Sequence, residues 1–257
     1  MNEFLGKLLG LPPLASTNGK DVDDLILYVH WLMLALFIGW IAYFFYAVWR
    51  FRKSRNPKAD YHGVRNHVSN YIELIVAGVE AVLLIFVAVP LWAKAVDKFP
   101  PADKATVVYV QAQQFAWNFR YAGTDGQFGR MDLKLVSSTN VFGVDPTDKN
   151  GQDDIQTLND IHVPVNKPVI LYVSSRDVIH SLKIISMRVC QDAIPGLRIP
   201  CWFTPNRIGR YQINCAQLCG NGHSAMSGGY LTVESQDDYN KWLQAKEAAA
   251  APAASYE

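Results

Sequence analysis

From Leu25 to Trp49 the chain contains no Asp, Glu, Lys or Arg, and His30 is the one ionisable side chain of that kind in the run. As a helix rising 1.5 Å per residue, this stretch extends about 37 Å, enough to cross a hydrocarbon core of about 30 Å with some tilt. A second run, Leu74 to Ala93, carries a single acid, Glu80. Both are too long for the apolar region of a signal peptide, and a core helix of this length without charge would be unusual. The sequence therefore predicts two membrane helices. Everything else must be built from the residues on either side of them.

The connection between the runs, Arg50 to His67, holds Arg50, Arg52, Lys53, Arg55, Lys58 and Arg65 against Asp60 alone. Basic residues in short loops stay on the cytoplasmic side, so both termini are expected to face the other compartment. Trp49, Trp92, Tyr43 and Tyr46 are candidate interfacial anchors, although such rings also simply pack. Met1 to Ser16 has one lysine and a weak apolar run. It reads either as a short export signal ending near Leu14-Ala15-Ser16 or as an uncleaved amphipathic tail.

Composition then falls into place. The 257 residues are 50% hydrophobic and 18% charged, with four cysteines and a formal net charge of +1. This excludes a disordered chain, a collagen-like repeat and a disulfide-dense miniprotein. It also excludes a nucleic-acid binder acting through bulk charge. A mean hydropathy of +0.02 is an average of two unlike halves. From Pro101 to Glu257 there are 14 basic and 15 acidic residues, so the polar half has no strong overall field.

Beyond Pro100-Pro101 short β-prone runs appear at Thr106–Val110, Phe115–Tyr121, Pro168–Val173, Leu182–Ile185, Gly209–Asn214 and Gly229–Val233. Turn residues separate them, at Gly123-Thr-Asp125-Gly126, Asn150-Gly151 and Pro205-Asn206. This spacing predicts an all-β sandwich of about 100–130 residues. Ser235 is placed to cap a short helix through Trp242 and Lys246, and Ala248 to Ala254 is a low-complexity tail. Asp145 to Asp160 reads as a polar insertion. Its Asp148–Asp153 stretch only partly resembles a calcium loop, lacking the last acidic ligand, and reads as a solvated turn.

The chemistry-bearing stretch is Cys215-Ala-Gln217-Leu-Cys219-Gly-Asn-Gly-His223-Ser-Ala-Met226. Thiolate and thioether are soft ligands and imidazole suits copper, so a Cys/His set with a weak Met at the edge of a β-sandwich points to copper electron transfer. A structural Cys₂His₂ zinc site completed by His180 is one alternative; it leaves Met226 unexplained, and the spacing is not that of a common finger. A Cys215–Cys219 disulfide is another, and it leaves both histidines without a role.

Asp177-Val-Ile-His180-Ser181, then Asp192-Ala-Ile-Pro-Gly196, then the Cys215–Met226 stretch resemble, in order and spacing, subunit II of the haem–copper cytochrome c oxidases. The resemblance covers nearly the whole chain, leaving out the N-terminal tail and the Asp145–Asp160 insertion. It implies a two-helix transmembrane hairpin plus an all-β cupredoxin-like sandwich with a C-terminal helix, holding a dinuclear copper centre, CuA. Cys215 and Cys219 match the bridging cysteines of that centre, and His180 and His223 match its histidines. Met226 matches the weak thioether ligand and Gln217 the backbone-carbonyl ligand. All six positions are filled, unlike in quinol oxidase relatives that keep the fold and lack copper.

The same resemblance implies partners. Subunit I, with its haem and CuB, receives the electrons, other oxidase subunits surround it, and a cytochrome c-type donor supplies them. Gln114-Phe115-Ala-Trp117-Asn-Phe119-Arg-Tyr121 matches the family's electron-entry segment, making Phe115 and Trp117 the entry candidates, with core packing the alternative for Phe115 and the favoured reading for Trp117. Phe115 stands where the family has an exposed tryptophan. Gln217 stands where most members have a glutamate that also reaches an interface magnesium, so magnesium binding is expected to be weakened or absent. Glu73 matches a glutamate at the mouth of a proton channel, and Glu80 lies where proline is common; an acid at that depth is costly and should face a protein partner. Weak steering, the missing tryptophan and the lack of a C-x-x-C-H haem motif point to a membrane-attached cytochrome or a quinol-oxidising complex as donor. Cys190 and Cys201 form either a disulfide or two separate thiols.

The sequence thus predicts an N-terminal tail (1–24), a transmembrane hairpin with a basic loop (25–99), an exported CuA domain (100–247) and a flexible tail (248–257). The expected setting is a bacterial inner membrane with the C-terminal domain outside. The expected function is electron transfer from a cytochrome to the oxygen-reducing, proton-translocating subunit I. Copper storage or delivery by an anchored cupredoxin and a non-redox quinol-oxidase subunit are the competing readings.

Overall fold

The computed structural model describes residues 3–59, 61–63 and 66–250. Asp60 and Arg65 of the basic loop and the end of the alanine-rich tail lie outside them. The described residues divide into two compact units, Asp21–Lys94 and the segments before and after it.

In the first unit the uncharged run forms most of a 32-residue helix, α2 (Gly19–Arg50), which follows a short α1 (Glu3–Leu8). The second run spans α3 (Val68–Leu83), a π-helical turn (Leu84–Ala88) and α4 (Val89–Asp97). Pro90 explains the turn: it lacks an N–H, and its ring would clash with a carbonyl one turn back, so the ladder widens just ahead of it. Both stretches, Gly19–Arg50 and Val68–Asp97, are long and apolar enough to cross a membrane. They fold back as a hairpin, with Lys94 Nζ 2.5 Å from Asp21 Oδ2 where their outer ends meet. Arg55 lies over the Trp49 ring at 4.0 Å, so the basic loop begins on an aromatic platform.

The second unit is a sandwich of two five-stranded sheets. Its strands are β1 (Thr106–Gln113), β2 (Ala116–Tyr121), β3 (Ile155–Leu158), β4 (Asp160–Pro164) and β5 (Val169–Ser175). They continue with β6 (His180–Ile184), β7 (Val189–Ala193), β8 (Ile199–Phe203), β9 (Gly209–Cys215) and β10 (Gly229–Glu234). One sheet has the order β3-β2-β1-β5-β8 and the other β4-β10-β9-β6-β7. The core between them is built from alternate residues such as Val108, Val110, Phe119, Leu171, Leu182, Ile213 and Leu231, all buried. A final helix, α5 (Gln236–Ala250), starts where Ser235 Oγ accepts the Asp238 amide at 3.1 Å, an N-cap as the sequence predicts.

Two expectations need correction. The Asp145–Asp160 stretch is not purely an insertion, since its last residues form β3, paired antiparallel with β2. The excursion before it is anchored, because Arg120 and Asp154 form a fully buried ion pair and Arg120 Nη2 donates to the Gly129 carbonyl at 2.8 Å. Nor is the stretch before α2 a free tail. Ala15 and Ser16 are fully buried, the Ala15 amide donates to Ser186 O (2.8 Å), and Ser16 Oγ donates to Met187 O (2.8 Å). The Leu14-Ala15-Ser16 site is therefore folded against β-domain backbone. Asp148 spends its carboxylate on the Arg130 amide and on capping Asn150, as a turn residue does.

Candidate metal centre

Strand pairing gathers the chemistry at one end of the second sheet. Leu182 of β6 faces Cys215 of β9, and the Ala216 amide donates to Ser181 O at 2.9 Å. His180, the first residue of β6, therefore lies beside the end of β9. Cys219 follows on the loop, and His223 and Met226 lie on a 3₁₀ turn, His223–Gly228, leading into β10.

These side chains converge. His180 Nδ1 lies 3.1 Å from Met226 Sδ, Cys219 Sγ lies 3.4 Å from the same sulfur, and His223 Nδ1 lies 3.3 Å from Cys219 Sγ. The Cys215 and Cys219 sulfurs are 4.0 Å apart, and Cys215 Sγ is 3.1 Å from the Gln217 carbonyl oxygen. The ligand atoms of His180, Cys215 and Cys219 all lie within 4.8 Å of one another. His180 and Met226 are completely buried and the two cysteines nearly so, while His223 is half-buried at the rim. The cysteines are separate thiols rather than a disulfide.

Neighbouring residues orient this set. Asp177 Oδ1 is 2.9 Å from His180 Nε2, which makes that nitrogen the N–H and leaves the Nδ1 lone pair facing the sulfurs. The Gln114 amide donates to Asp177 Oδ2 (2.7 Å), and Gln114 Nε2 donates to the Cys219 carbonyl (2.6 Å). Trp117 Nε1 donates to the Met226 carbonyl at 3.0 Å, and its ring stands edge-on to His180. Gly220 adopts φ +138°, and a Cβ on Gly222 would meet the Phe115 ring at 2.4 Å, so only glycine lets the loop lie on that ring.

Electrostatics match the geometry. Burial works against the charge on Asp177, but the Gln114 amide, the His180 imidazole and the Val178 amide outweigh it and hold its carboxyl below the usual range. Burial, reinforced by the neighbouring Cys215, pushes the Cys219 thiol up to about 11. Two adjacent thiols become thiolates together only beside a cation. Buried sulfurs, imidazole nitrogens and a carbonyl form a soft donor set suited to copper or zinc rather than to magnesium or calcium. The residues present fit a soft metal.

The model of a known family, cytochrome c oxidase subunit II, periplasmic domain, matches residues 106–233. The alternative cytochrome c oxidase subunit 2 of Bradyrhizobium diazoefficiens is 32% identical over 230 residues, covering 89% of this chain and 81% of its own. The chain belongs to the cytochrome c oxidase subunit II family. The cytochrome c oxidase subunit 2 of Cereibacter sphaeroides is 28% identical over 261 residues, covering 93% of this chain and 82% of its own. Among solved structures, the periplasmic domain of subunit II of cytochrome oxidase of Bradyrhizobium japonicum is 26% identical, covering 59% of this chain and 99% of that one, with a TM-score of 0.43.

In this subunit II chain Phe115 is half-buried on the ligand loop, whereas Trp117 is wholly enclosed. Trp117 therefore cannot be a surface contact for a donor; its place is under Met226. Gln217 and Leu218 are exposed at the loop tip. Glu73 and Glu80 lie on α3, exposed in this single chain. Cys190, on β7, is exposed and Cys201, on β8, is half-buried, and both are free thiols. Cys190 and Cys201 stand on edge strands of different sheets, β7 and β8, and are near enough for the Cys190 thiol to act electrostatically on Cys201 without bonding to it. Sequence reasoning assigns no role to Asp177 or Gln114, although both stand in the quoted motifs. The one available sign was an acid three residues ahead of a candidate histidine ligand.

Proposed function

We propose that this chain is the electron-transfer subunit of a haem–copper terminal oxidase, with a dinuclear copper centre held by His180, Cys215, the Gln217 carbonyl, Cys219, His223 and Met226. The observation that carries the reading is the convergence of two thiols, two imidazoles and a thioether at one buried end of the sandwich. When bound, the copper pair supplies a one-electron donor and acceptor. Asp177 keeps His180 in the tautomer that presents Nδ1, and Trp117 fixes the backbone behind Met226. The dense core strands on either side keep these groups from moving when the charge changes. His223 and Phe115, at the rim, bring the site within one side chain of the surface, which makes that rim the place where a donor delivers electrons.

In this reading residues 25–99 anchor the chain in a bacterial inner membrane, 100–247 form the periplasmic domain and 248–257 are a tail. Subunit I, with haem and CuB, takes the electrons for oxygen reduction and proton translocation. The near-balance of 14 basic and 15 acidic residues after Pro100 offers little long-range steering. This favours a membrane-attached cytochrome or a quinol-oxidising complex as donor, and co-purification of such a complex with the oxidase tests it.

The deciding experiment is metal analysis with near-infrared absorption and EPR on the purified full chain after copper loading. Two copper ions per chain and a mixed-valence EPR signal are expected. A single tightly held zinc, or copper without that signal, would overturn the reading in favour of a structural or copper-delivery role.

A further inference from the structure

We propose that Gln114 is a positioning residue, a clamp that holds the His180 segment and the Cys219 loop in one fixed relation. The inference rests on the metal-centre reading above and concerns a residue that is not itself a ligand. Gln114 lies in the tight turn between β1 and β2, a part of the first sheet, whereas every candidate ligand belongs to the second sheet or its loops.

From that turn it makes two contacts in different directions. Its backbone amide donates to Asp177 Oδ2 at 2.7 Å, and the other oxygen of that carboxylate meets His180 Nε2 at 2.9 Å. Its side-chain Nε2 donates to the Cys219 carbonyl at 2.6 Å. One residue thus connects the imidazole nitrogen of His180, through the Asp177 carboxylate, with the backbone that carries Cys219, which it bonds directly. The loop is shaped to allow it: a Cβ on Gly220 would stand 2.8 Å from Gln114 Nε2 and 3.1 Å from the Phe115 ring.

Among the described residues, Gln114 is the one donor from the first sheet to the Cys219 carbonyl. The Cys219 loop is joined to β6 by the bond from the Ala216 amide to Ser181 O, on the Cys215 side. Gln114 therefore serves the Cys219 part of the loop as Trp117 serves the Met226 part. A donor aimed at the Cys219 carbonyl also draws electron density from the peptide adjoining that thiol. Outer partners of this sort fix ligand orientation and tune the metal rather than bind it.

The test uses the full-length chain in detergent, with Gln114→Leu and Gln114→Glu. Both keep the backbone amide and its bond to Asp177 and remove only the donor to Cys219; the glutamate places an acceptor against that carbonyl. With copper as the probe, both variants are expected to melt near the parent temperature and to hold the same copper per chain. They should show altered copper hyperfine splitting and a shifted midpoint potential, and should lose copper to a chelator about tenfold faster. Parent-like spectra, potential and release rate in both variants would overturn the proposal.

A second readout needs no metal. In the copper-free chain, alkylation of Cys219, followed by peptide mass spectrometry against Cys215 as internal standard, should quicken in both variants. If the parent chain takes up no copper, the metal-centre reading fails, and the Cys219 to Cys215 alkylation ratio alone decides for or against the clamp. An unchanged ratio counts against it.

Discussion

Phe115 shows how one side chain can be read two ways until its neighbours are known. As a sequence position it is either sandwich core or an entry point for electrons. In the fold it is half-buried and packs against Gly220 and Gly222 of the ligand loop, while Trp117 two residues on is sealed beneath Met226. Phe115→Ala is expected to slow donor oxidation about tenfold, as loss of an aromatic anchor at a docking surface does, with copper content unchanged; an unaltered rate would remove the entry role. Gln217 exposes an amide where a carboxylate would attract a hard cation. Purified enzyme should lack stoichiometric magnesium or manganese, and Gln217→Glu should tighten Mn²⁺ binding about tenfold by restoring an anionic oxygen, as EPR titration would read. The two remaining cysteines should separate by reactivity. Burial, and secondarily Cys190, push the Cys201 thiol up to about 12. At pH 8 only about one part in ten thousand of it is thiolate. Iodoacetamide at that pH is therefore expected to label Cys190 and spare Cys201 in the folded chain, and equal labelling would contradict the burial of Cys201.

At the scale of elements, the β-prone runs evident in the sequence are β1, β2, β5, β6, β9 and β10. All six are inner strands of the two sheets. The four that the pattern does not reveal, β3, β4, β7 and β8, are the four edges. The reason is physical. An inner strand must satisfy both rows of backbone groups and bury a full face, so it is written in Val, Ile, Leu and aromatics. An edge strand pairs on one side only and tolerates the Pro200 of β8, the Pro164 ending β4 and the Gln and Asp of β7. The excursion between β2 and β3 is governed by another rule. Its closing contact is the Arg120–Asp154 pair, in which burial pushes the Asp154 carboxyl up against the pull of Arg120 and the Gly129 amide. Asp154→Ala would strand a buried guanidinium, at an expected cost of about 3–5 kcal/mol. Urea unfolding of the purified chain would measure it, and a loss under about 1 kcal/mol would mean that water already serves Arg120.

For the whole molecule, the hairpin supplies what the β-domain lacks, two stretches long and apolar enough to cross a membrane. Glu73 and Glu80 stand exposed on α3 of the isolated chain, and ionisable groups on a spanning helix are expected to face protein or water rather than lipid. If Glu73 borders a proton path in subunit I, Glu73→Ala should lower steady-state oxygen consumption of the assembled oxidase while leaving the copper spectrum intact. Full turnover in that variant would refute the channel role. The sequence by itself determined the two apolar spans, the sign of the loop between them, the six inner strands, the capped C-terminal helix and the cluster of soft ligands. These are properties of local pattern, composition and spacing, which one stretch of chain carries alone. Only the tertiary structure decided that the segment before α2 packs on the β-domain, that Trp117 is enclosed and Phe115 is not, that Cys190 and Cys201 are separate thiols on edge strands of different sheets, and that Gln114 reaches two ligand segments at once. Each of those depends on residues far apart in the chain meeting across two sheets, and no window of sequence contains both partners.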